Sequence, residues 1–301
     1  MIKIKKNKNV LVTGASGMLG LEVVRYFLGE GLNVTGLFHS NPKLIDKSIK
    51  HISCDIGDTK SINSLAKKIP KLDLIVHCAS MTGVDKCEKD KEGCFRANVI
   101  GTRNMVALAE KYKAKIIYIS TGSVFSGEKG NYKEGDFLDP RNYYSFTKTL
   151  GEEAVLAYSK GIVVRATPIG IHASGRPQAN FLEWMVDAIK SNKPLNFFTD
   201  VYINALSALT MAKFLFQLAT KMDRGVIHLG SKDRLSKADI GLMVVEAFKE
   251  YSGEVKLVSI DSMSGNFAFR PKEMWLNVGY AKKLGLKMPN LKEEVKLIFK
   301  K

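Results

Sequence analysis

No apolar run in this chain approaches the roughly 18 residues needed to cross a bilayer. The opening MIKIKKNKNVLVTG passes from lysines straight into a strand-like run without a signal-peptide core. These two absences set the expectation of a cytoplasmic protein with no membrane partner. Cysteine is scarce: Cys54, Cys78, Cys87 and Cys94 are the four in 301 residues and none forms a C-x-x-C pair. No disulfide framework is therefore expected, the thiols are read as reduced, and no metal ligand set is read in the chain. Acid is the deficient charge, since 46 Lys and Arg against 30 Asp and Glu leave a net +16. The basic residues are scattered from Lys3 to Lys301 with no aromatic-interleaved arginine tract, so nucleic acid is not the expected partner. A basic surface does suit an acidic, phosphorylated substrate. Repeats and low-complexity linkers are also missing, and 45% hydrophobic residues suffice for a substantial core.

What is present is alternation. Strand-length apolar runs at 10–14, 33–38, 72–79, 114–120 and 161–166 are separated by helical patterns, the signature of a parallel sheet with crossover helices. A long helix is expected over 91–112, with Val99, Met105, Val106 and Ala109 on a buried face, and a second over 144–158. The stretch 122–143, rich in Gly, Asp, Asn and Ser, reads as a long loop at the end of the sheet. After 167 the pattern breaks into helices near 178–190 and 206–220, a short strand at 225–229, and a helix opening at Leu235 with Ser236 and Asp239 as a capping box. Two units are expected: 1–166, and a smaller C-terminal α/β lobe over 167–301 interleaved with the sheet.

The first turn carries the strongest local signal. VLVTGASGMLG is an apolar strand, then Gly14, Ser16, Gly17, Met18, Leu19 and Gly20, then a helix. In that order Gly14 permits the tight turn, Gly17 lets a pyrophosphate approach the backbone, Gly20 allows close helix packing, and the helix N-terminus attracts the phosphate charge. The fold class is accordingly a Rossmann-type doubly wound sheet. Asp55 and Ile56 end the patch HISCDI, where a carboxylate can meet an adenine amino group or simply begin a turn. Cys78, Ala79 and Ser80 are small residues at a strand end that leave room for a cofactor, while His77 and Cys78 are read as core rather than metal ligands.

Tyr144 and Lys148 lie at i and i+4, on one face of a helix. A cation beside a phenol favours the phenolate, which makes the pair suited to proton transfer.

Together these residues resemble the extended short-chain dehydrogenase/reductases, in the branch of dTDP-4-dehydrorhamnose reductases and related sugar-nucleotide-binding proteins. The likeness runs over nearly the whole chain: VTGASGMLG, HCASMTGVDKCEKD, NVIGT, YISTGSVFSGEKGNYKEGD, NYYSFTKTLGE and RPKEMWLN each resemble a family segment. The resemblance implies that Thr121 polarises the substrate oxygen and Tyr144 is the general acid/base. It also implies that Lys148 binds the nicotinamide ribose and lowers the Tyr144 pKa, and that Asn98 supports Lys148 through a hydrogen-bond relay. The implied chemistry is hydride transfer between NAD(P) and a nucleotide-linked keto sugar, in a protein for which a homodimer is allowed. An epimerase or dehydratase, or a non-enzymatic NADP-binding regulatory subunit, are the alternative readings.

The chain also departs from that pattern. Gly122-Ser123 replaces Asp-Tyr after the threonine, Ser126 replaces Asp, Ala205 replaces a proline, and Pro168-Ile169-Gly170 replaces a bulky aromatic. The cofactor half is kept and the substrate half has drifted. Cofactor choice is read just after the second strand, where Gly36-Leu37-Phe38-His39-Ser40-Asn41 offers no acid before Asp46. Without a carboxylate to claim the ribose 2′-OH, and with His39, Ser40 and Lys43 able to meet a 2′-phosphate, NADP(H) is favoured over NAD(H).

Overall fold

The computed structural model describes residues 7–39, 49–172, 180–262 and 267–299. Ser40, Asn41, Lys43 and Asp46 of the cofactor-choice segment, and Gln178 at the expected start of a helix, lie outside the described residues.

The apolar runs form one parallel sheet: β1 (Asn9–Thr13), β2 (Asn33–Phe38), β3 (His51–Ser53), β4 (Leu74–His77), β5 (Lys115–Ser120), β6 (Gly161–Arg165) and a seventh strand, Gly225–His228. Their order is β3-β2-β1-β4-β5-β6-seventh, with Val10 opposite Leu74 and Thr13 opposite His77. The chain winds outward in both directions from the β1/β4 boundary, so the connections leaving those two strands diverge and open a crevice at their carboxyl ends.

The helices are α1 (Met18–Gly29), α2 (Thr59–Lys68), α3 (Val84–Lys89), α4 (Lys91–Phe95), α5 (Gly101–Tyr112), α6 (Tyr143–Ala157), α7 (Phe181–Lys190), α8 (Ala208–Lys221), α9 (Lys237–Ala247), α10 (Gly279–Lys283) and α11 (Leu291–Phe299). One face of the sheet is covered by α1, α8 and α10, the other by α2, α5 and α6. Strands buried on both faces read as continuous apolar runs, which is why β4 and β6 are buried at every position. A third core joins α7, α9 and α11 around the parallel pair Leu195–Phe198 and Val255–Val258.

Residues 225–228 complete the main sheet beside β6, and α8 packs on α1, so the second half of the chain supplies a sheet edge as well as a lobe. Three details differ from the sequence reading. The helix expected over 91–112 is α4, a π-turn at Arg96–Ile100 and α5; the widened turn falls on Asn98, as such bulges commonly fall on working residues. The helix read as opening at Leu235 begins at Lys237 behind the predicted Ser236–Asp239 capping box, with Leu235–Ser236 a short strand. Finally, the thiols are not all reduced. A break at Asp90 between α3 and α4 brings the Cα atoms of Cys87 and Cys94 to 5.2 Å, within disulfide range, and the two are bonded.

Candidate active site

The glycine-rich turn sits at the β1/β4 crevice. Gly14 adopts φ +66°, and a Cβ there would lie 2.9 Å from the Ala79 amide nitrogen. The turn and the end of β4 thus approach closer than any side chain allows. Gly20 is packed still more tightly, its Cβ position being 2.1 Å from the Gly14 carbonyl oxygen, while Leu19 is buried in the core below. Gly17 is the N-cap of α1 and provides no side-chain cap, and the first turn holds no acid. The leading N–H groups are therefore left for an anion. A cavity of about 800 Å³ starts at Ser16, Gly17 and Met18 and runs between α1, α7 and α11. Thr121, Tyr144 and Lys148 do not line it.

The end of β4 is fixed by a buried chain of hydrogen bonds. Thr13 Oγ1 lies 2.7 Å from His77 Nδ1 and accepts from the Ala79 amide, and His77 Nε2 lies 3.1 Å from Thr102 Oγ1. Thr102 gives its proton to the Asn98 carbonyl, so His77 donates from Nε2 and accepts at Nδ1. Burial, then the nearby Lys148 charge, push the His77 pKa down to about 3, so the ring is neutral. The ring is fully buried, the core position that was expected. Cys78 is likewise protonated, its thiol pushed up to about 12 by burial. Asn98 Oδ1 accepts from Ser80 Oγ and the Met81 amide at 2.9 and 2.8 Å, while Nδ2 donates to Thr147 Oγ1 at 3.0 Å, which donates to the Tyr144 carbonyl. Asn98 is thus tied through Thr147 to the Tyr144 turn of α6, and no hydrogen bond joins Asn98 to Lys148 among the described residues.

Asn142 caps α6 through the Ser145 amide, and Glu88 on α3 accepts from the Tyr143 amide at 2.7 Å, so the helix start is held twice. The Tyr144 phenol faces the Thr121 hydroxyl, whose oxygen accepts from the Ser123 amide. Burial raises the phenol pKa to about 12 and the Thr121 hydrogen bond offsets only part of that. Depression by Lys148 was expected; it is absent because the ammonium is engaged elsewhere. Lys148 Nζ donates to the Ile119 carbonyl at 2.7 Å and lies 4.0 Å from the Tyr118 ring centroid. Burial brings its pKa down to about 7, against the opposing pull of Glu152.

At the far end of the crevice His39 is exposed, 3.8 Å from Asp55. Asp55 is also bound by Arg96 at 2.9 Å and accepts from the Gly57 amide, so its carboxylate is already partnered. The Ile56 side chain fills the space left by Gly101, and its carbonyl accepts from Asn104.

The C-terminal segment closes the site from the other side. A Cβ on Gly122 would be 2.6 Å from the Met274 carbonyl, and Ser123 Oγ donates to the Met274 thioether. The Tyr132 hydroxyl accepts from the amides of Gly127 and Glu128 and meets Ser126 Oγ, which ties up the loop. Arg270 is paired with Asp85 on α3, and the Phe269 carbonyl accepts from Asn142 at the start of α6. Lys237 lies 5.3 Å over the Phe181 ring with no carboxylate partner among the described residues; burial, then the Arg270 charge, lower its pKa to about 8. Met274, Arg96, Lys237 and the Glu152–Arg165 pair were not singled out in the sequence. Only Glu152 had a visible signal, its i+4 spacing from Lys148.

Comparison with known proteins agrees with this geometry. The probable low-salt glycan biosynthesis reductase Agl14 of Haloferax volcanii is 28% identical over 290 residues, covering 94% of this chain and 95% of that protein. Methionine adenosyltransferase 2 subunit beta of Bos taurus is 27% identical, covering 93% and 83%. The crystal structure of a hypothetical dTDP-4-dehydrorhamnose reductase from Sulfolobus tokodaii is 31% identical with a TM-score of 0.79, covering 91% and 94%. The extended short-chain dehydrogenase/reductase resemblance is thereby borne out. The model of the family described as RmlD substrate binding domain matches residues 8–301, and the chain belongs to that family.

Proposed function

We propose that the protein is an NADP(H)-dependent reductase of a nucleotide-linked keto sugar. The observation that carries this reading is the Tyr144 phenol against the Thr121 hydroxyl, in a chain whose glycine turn opens an uncapped helix. The uncapped α1 N-terminus and the cradle between Gly14 and Ala79 fit a dinucleotide pyrophosphate. When bound, the cofactor supplies hydride to the sugar carbonyl carbon.

The chain's own residues handle the oxygen. With its pKa near 12, Tyr144 holds its proton at neutral pH and is ready to give it to the alkoxide that forms. Thr121, whose acceptor side is taken by the Ser123 amide, has its O–H to offer to the same oxygen. Lys148 as an ammonium suits the ribose hydroxyls. Lys237 and Arg270 suit the diphosphate of the substrate. Preference for NADP(H) is supported by the missing acid at the end of β2 and by exposed His39. The likeness to a reductase named for glycan biosynthesis supports a sugar substrate.

The regulatory reading draws support from the likeness to methionine adenosyltransferase 2 subunit beta and from the replaced Asp-Tyr beside Thr121. One experiment separates the readings: a panel of dTDP-, UDP-, GDP- and CDP-linked 4-keto sugars with NADPH, followed by nicotinamide absorbance and product analysis. Oxidation of NADPH by any member supports the reductase. Sugar conversion without net oxidation supports an epimerase or dehydratase, and NADPH binding with no conversion supports the regulator.

A further inference from the structure

Lys148 and Glu152 stand one turn apart on α6, a spacing at which an ammonium and a carboxylate ordinarily meet. Here they do not pair. The Glu152 carboxylate is buried and held by Arg165 through contacts of 3.0, 3.1 and 2.6 Å, and it accepts from Ser120 Oγ at 2.5 Å. Consecutive residues of β5 divide the two charges: Tyr118 and Ile119 hold the ammonium, Ser120 the carboxylate. Arg165 is itself fixed, donating from Nη1 to the Glu134 carbonyl and lying 5.1 Å over the Phe125 ring.

The groups around Lys148 make this arrangement consequential. His77 and Cys78 approach from the end of β4, Tyr118 from β5 with Tyr144 beyond it, and Glu152 from α6. His77 is neutral, and Cys78, Tyr118 and Tyr144 all keep their protons because burial raises them. Glu152, paired with Arg165, is the carboxylate in this set. An ammonium in such dry surroundings has little else to stabilise it than one carbonyl, one ring and this carboxylate.

We propose that Glu152 is a positioning residue for the reaction: held off Lys148 by Arg165 and Ser120, it sustains the ammonium form on the crevice side of α6 without capturing it. This rests on the cofactor role given to Lys148 above. A direct pair would draw the ammonium away from a bound ribose, and a neutral residue at 152 would let it lose its proton.

The test reads Lys148 without cofactor, by NMR of 13C-lysine-labelled protein with the resonance assigned through Lys148→Arg. The expected parent midpoint is about 7. In Glu152→Gln it falls by about one pH unit or more, because the carboxylate is gone and Arg165 is left uncompensated. Glu152→Gln/Arg165→Gln leaves no lone buried charge, and it decides the matter if the single variant does not fold; there the midpoint falls by less. A midpoint unmoved in a folded variant overturns the proposal, even if stability drops, since a purely structural pair would affect stability alone. NADPH titration of the same proteins tests the cofactor reading separately. For each pH unit that the midpoint falls, affinity at pH 8 is expected to weaken about tenfold, whereas a parent that does not bind NADPH refutes the cofactor role and leaves the NMR result standing.

Discussion

Ser123 donates its hydroxyl hydrogen bond to the thioether of Met274 across 3.3 Å, joining the loop after β5 to a segment 151 residues further along the chain. The contact is possible because Gly122 has no side chain where the Met274 carbonyl passes. The two positions at which this chain departs from the Asp-Tyr pattern are thus both in contact with Met274 of the C-terminal segment. Gly122→Asp is expected to push that segment outward, costing about 1–3 kcal/mol in stability by denaturant unfolding. The keto-sugar KM should rise while the NADPH Kd stays constant. An equal change in both constants would mean that the segment does not border the substrate.

The glycine turn makes a distinction between two substitutions. Gly17→Val places side-chain atoms where the pyrophosphate approaches and should abolish NADPH binding in calorimetry with a folded protein. Gly20→Ala would bring its Cβ to 2.1 Å from the Gly14 carbonyl oxygen and should compromise folding itself, seen as a lowered thermal midpoint. Unimpaired NADPH binding by the valine variant would refute the pyrophosphate assignment.

Tyr144→Phe removes the proton donor and little else. Turnover should fall by about 10²–10⁴ with the NADPH Kd unchanged. Full turnover in the phenylalanine variant would assign the proton to another group.

Lys148 gives the free protein a pH signature. Its folded pKa of about 7 lies below the ordinary 10.5. Between those values the unfolded chain holds a proton that the folded chain does not, so the group lowers stability most below pH 7 and the loss is relieved as pH rises to about 10.5. Lys148→Met should remove that rise from the stability profile measured by urea unfolding. Cofactor binding runs the other way: the ammonium offered to the ribose disappears above pH 7, and NADPH affinity should weaken there in the parent and not in the variant.

The Cys87–Cys94 bond should be countable. Alkylation of the unreduced, denatured chain is expected to label two cysteines, Cys54 and Cys78, and labelling after reduction to reach four. Closing a loop of sequence separation 7 contributes about 2 kcal/mol in the chain-entropy view, so Cys94→Ser should lower the thermal midpoint by a few degrees. Four labels without reductant would show the thiols free.

Much of the geometry of the glycine turn and of α6 was legible because its rules are local. Gly14, Gly17 and Gly20 need only a strand before and a helix after them, and Tyr144 and Lys148 need only one helical turn. Long-range partners were not legible. Arg165 meets Glu152, Met274 meets Ser123 and Arg270 meets Asp85 through the meeting of distant segments, and no spacing along the chain encodes those pairs. Protonation failed for the same reason. The lowered phenol pKa expected from the i+4 pair assumed that the ammonium faces Tyr144, whereas β5 holds it on Tyr118 and Ile119. The disulfide was missed because a helix break at Asp90, and not a C-x-x-C spacing, sets the distance between its cysteines.

The placement of Gly225–His228 beside β6 has a consequence for the order of assembly. Fifty-nine residues separate the end of β6 from the start of its outer neighbour, and all of them must be made before that parallel pairing can form. Until then a nascent chain exposes β6 as an open edge, with its N–H and C=O groups free to pair with another copy. The face of α1 that α8 will cover stays bare over the same interval. Truncation near residue 166 should therefore yield an aggregation-prone fragment and not a stable nucleotide-binding module, and completion of the sheet should be a late, slow event in refolding.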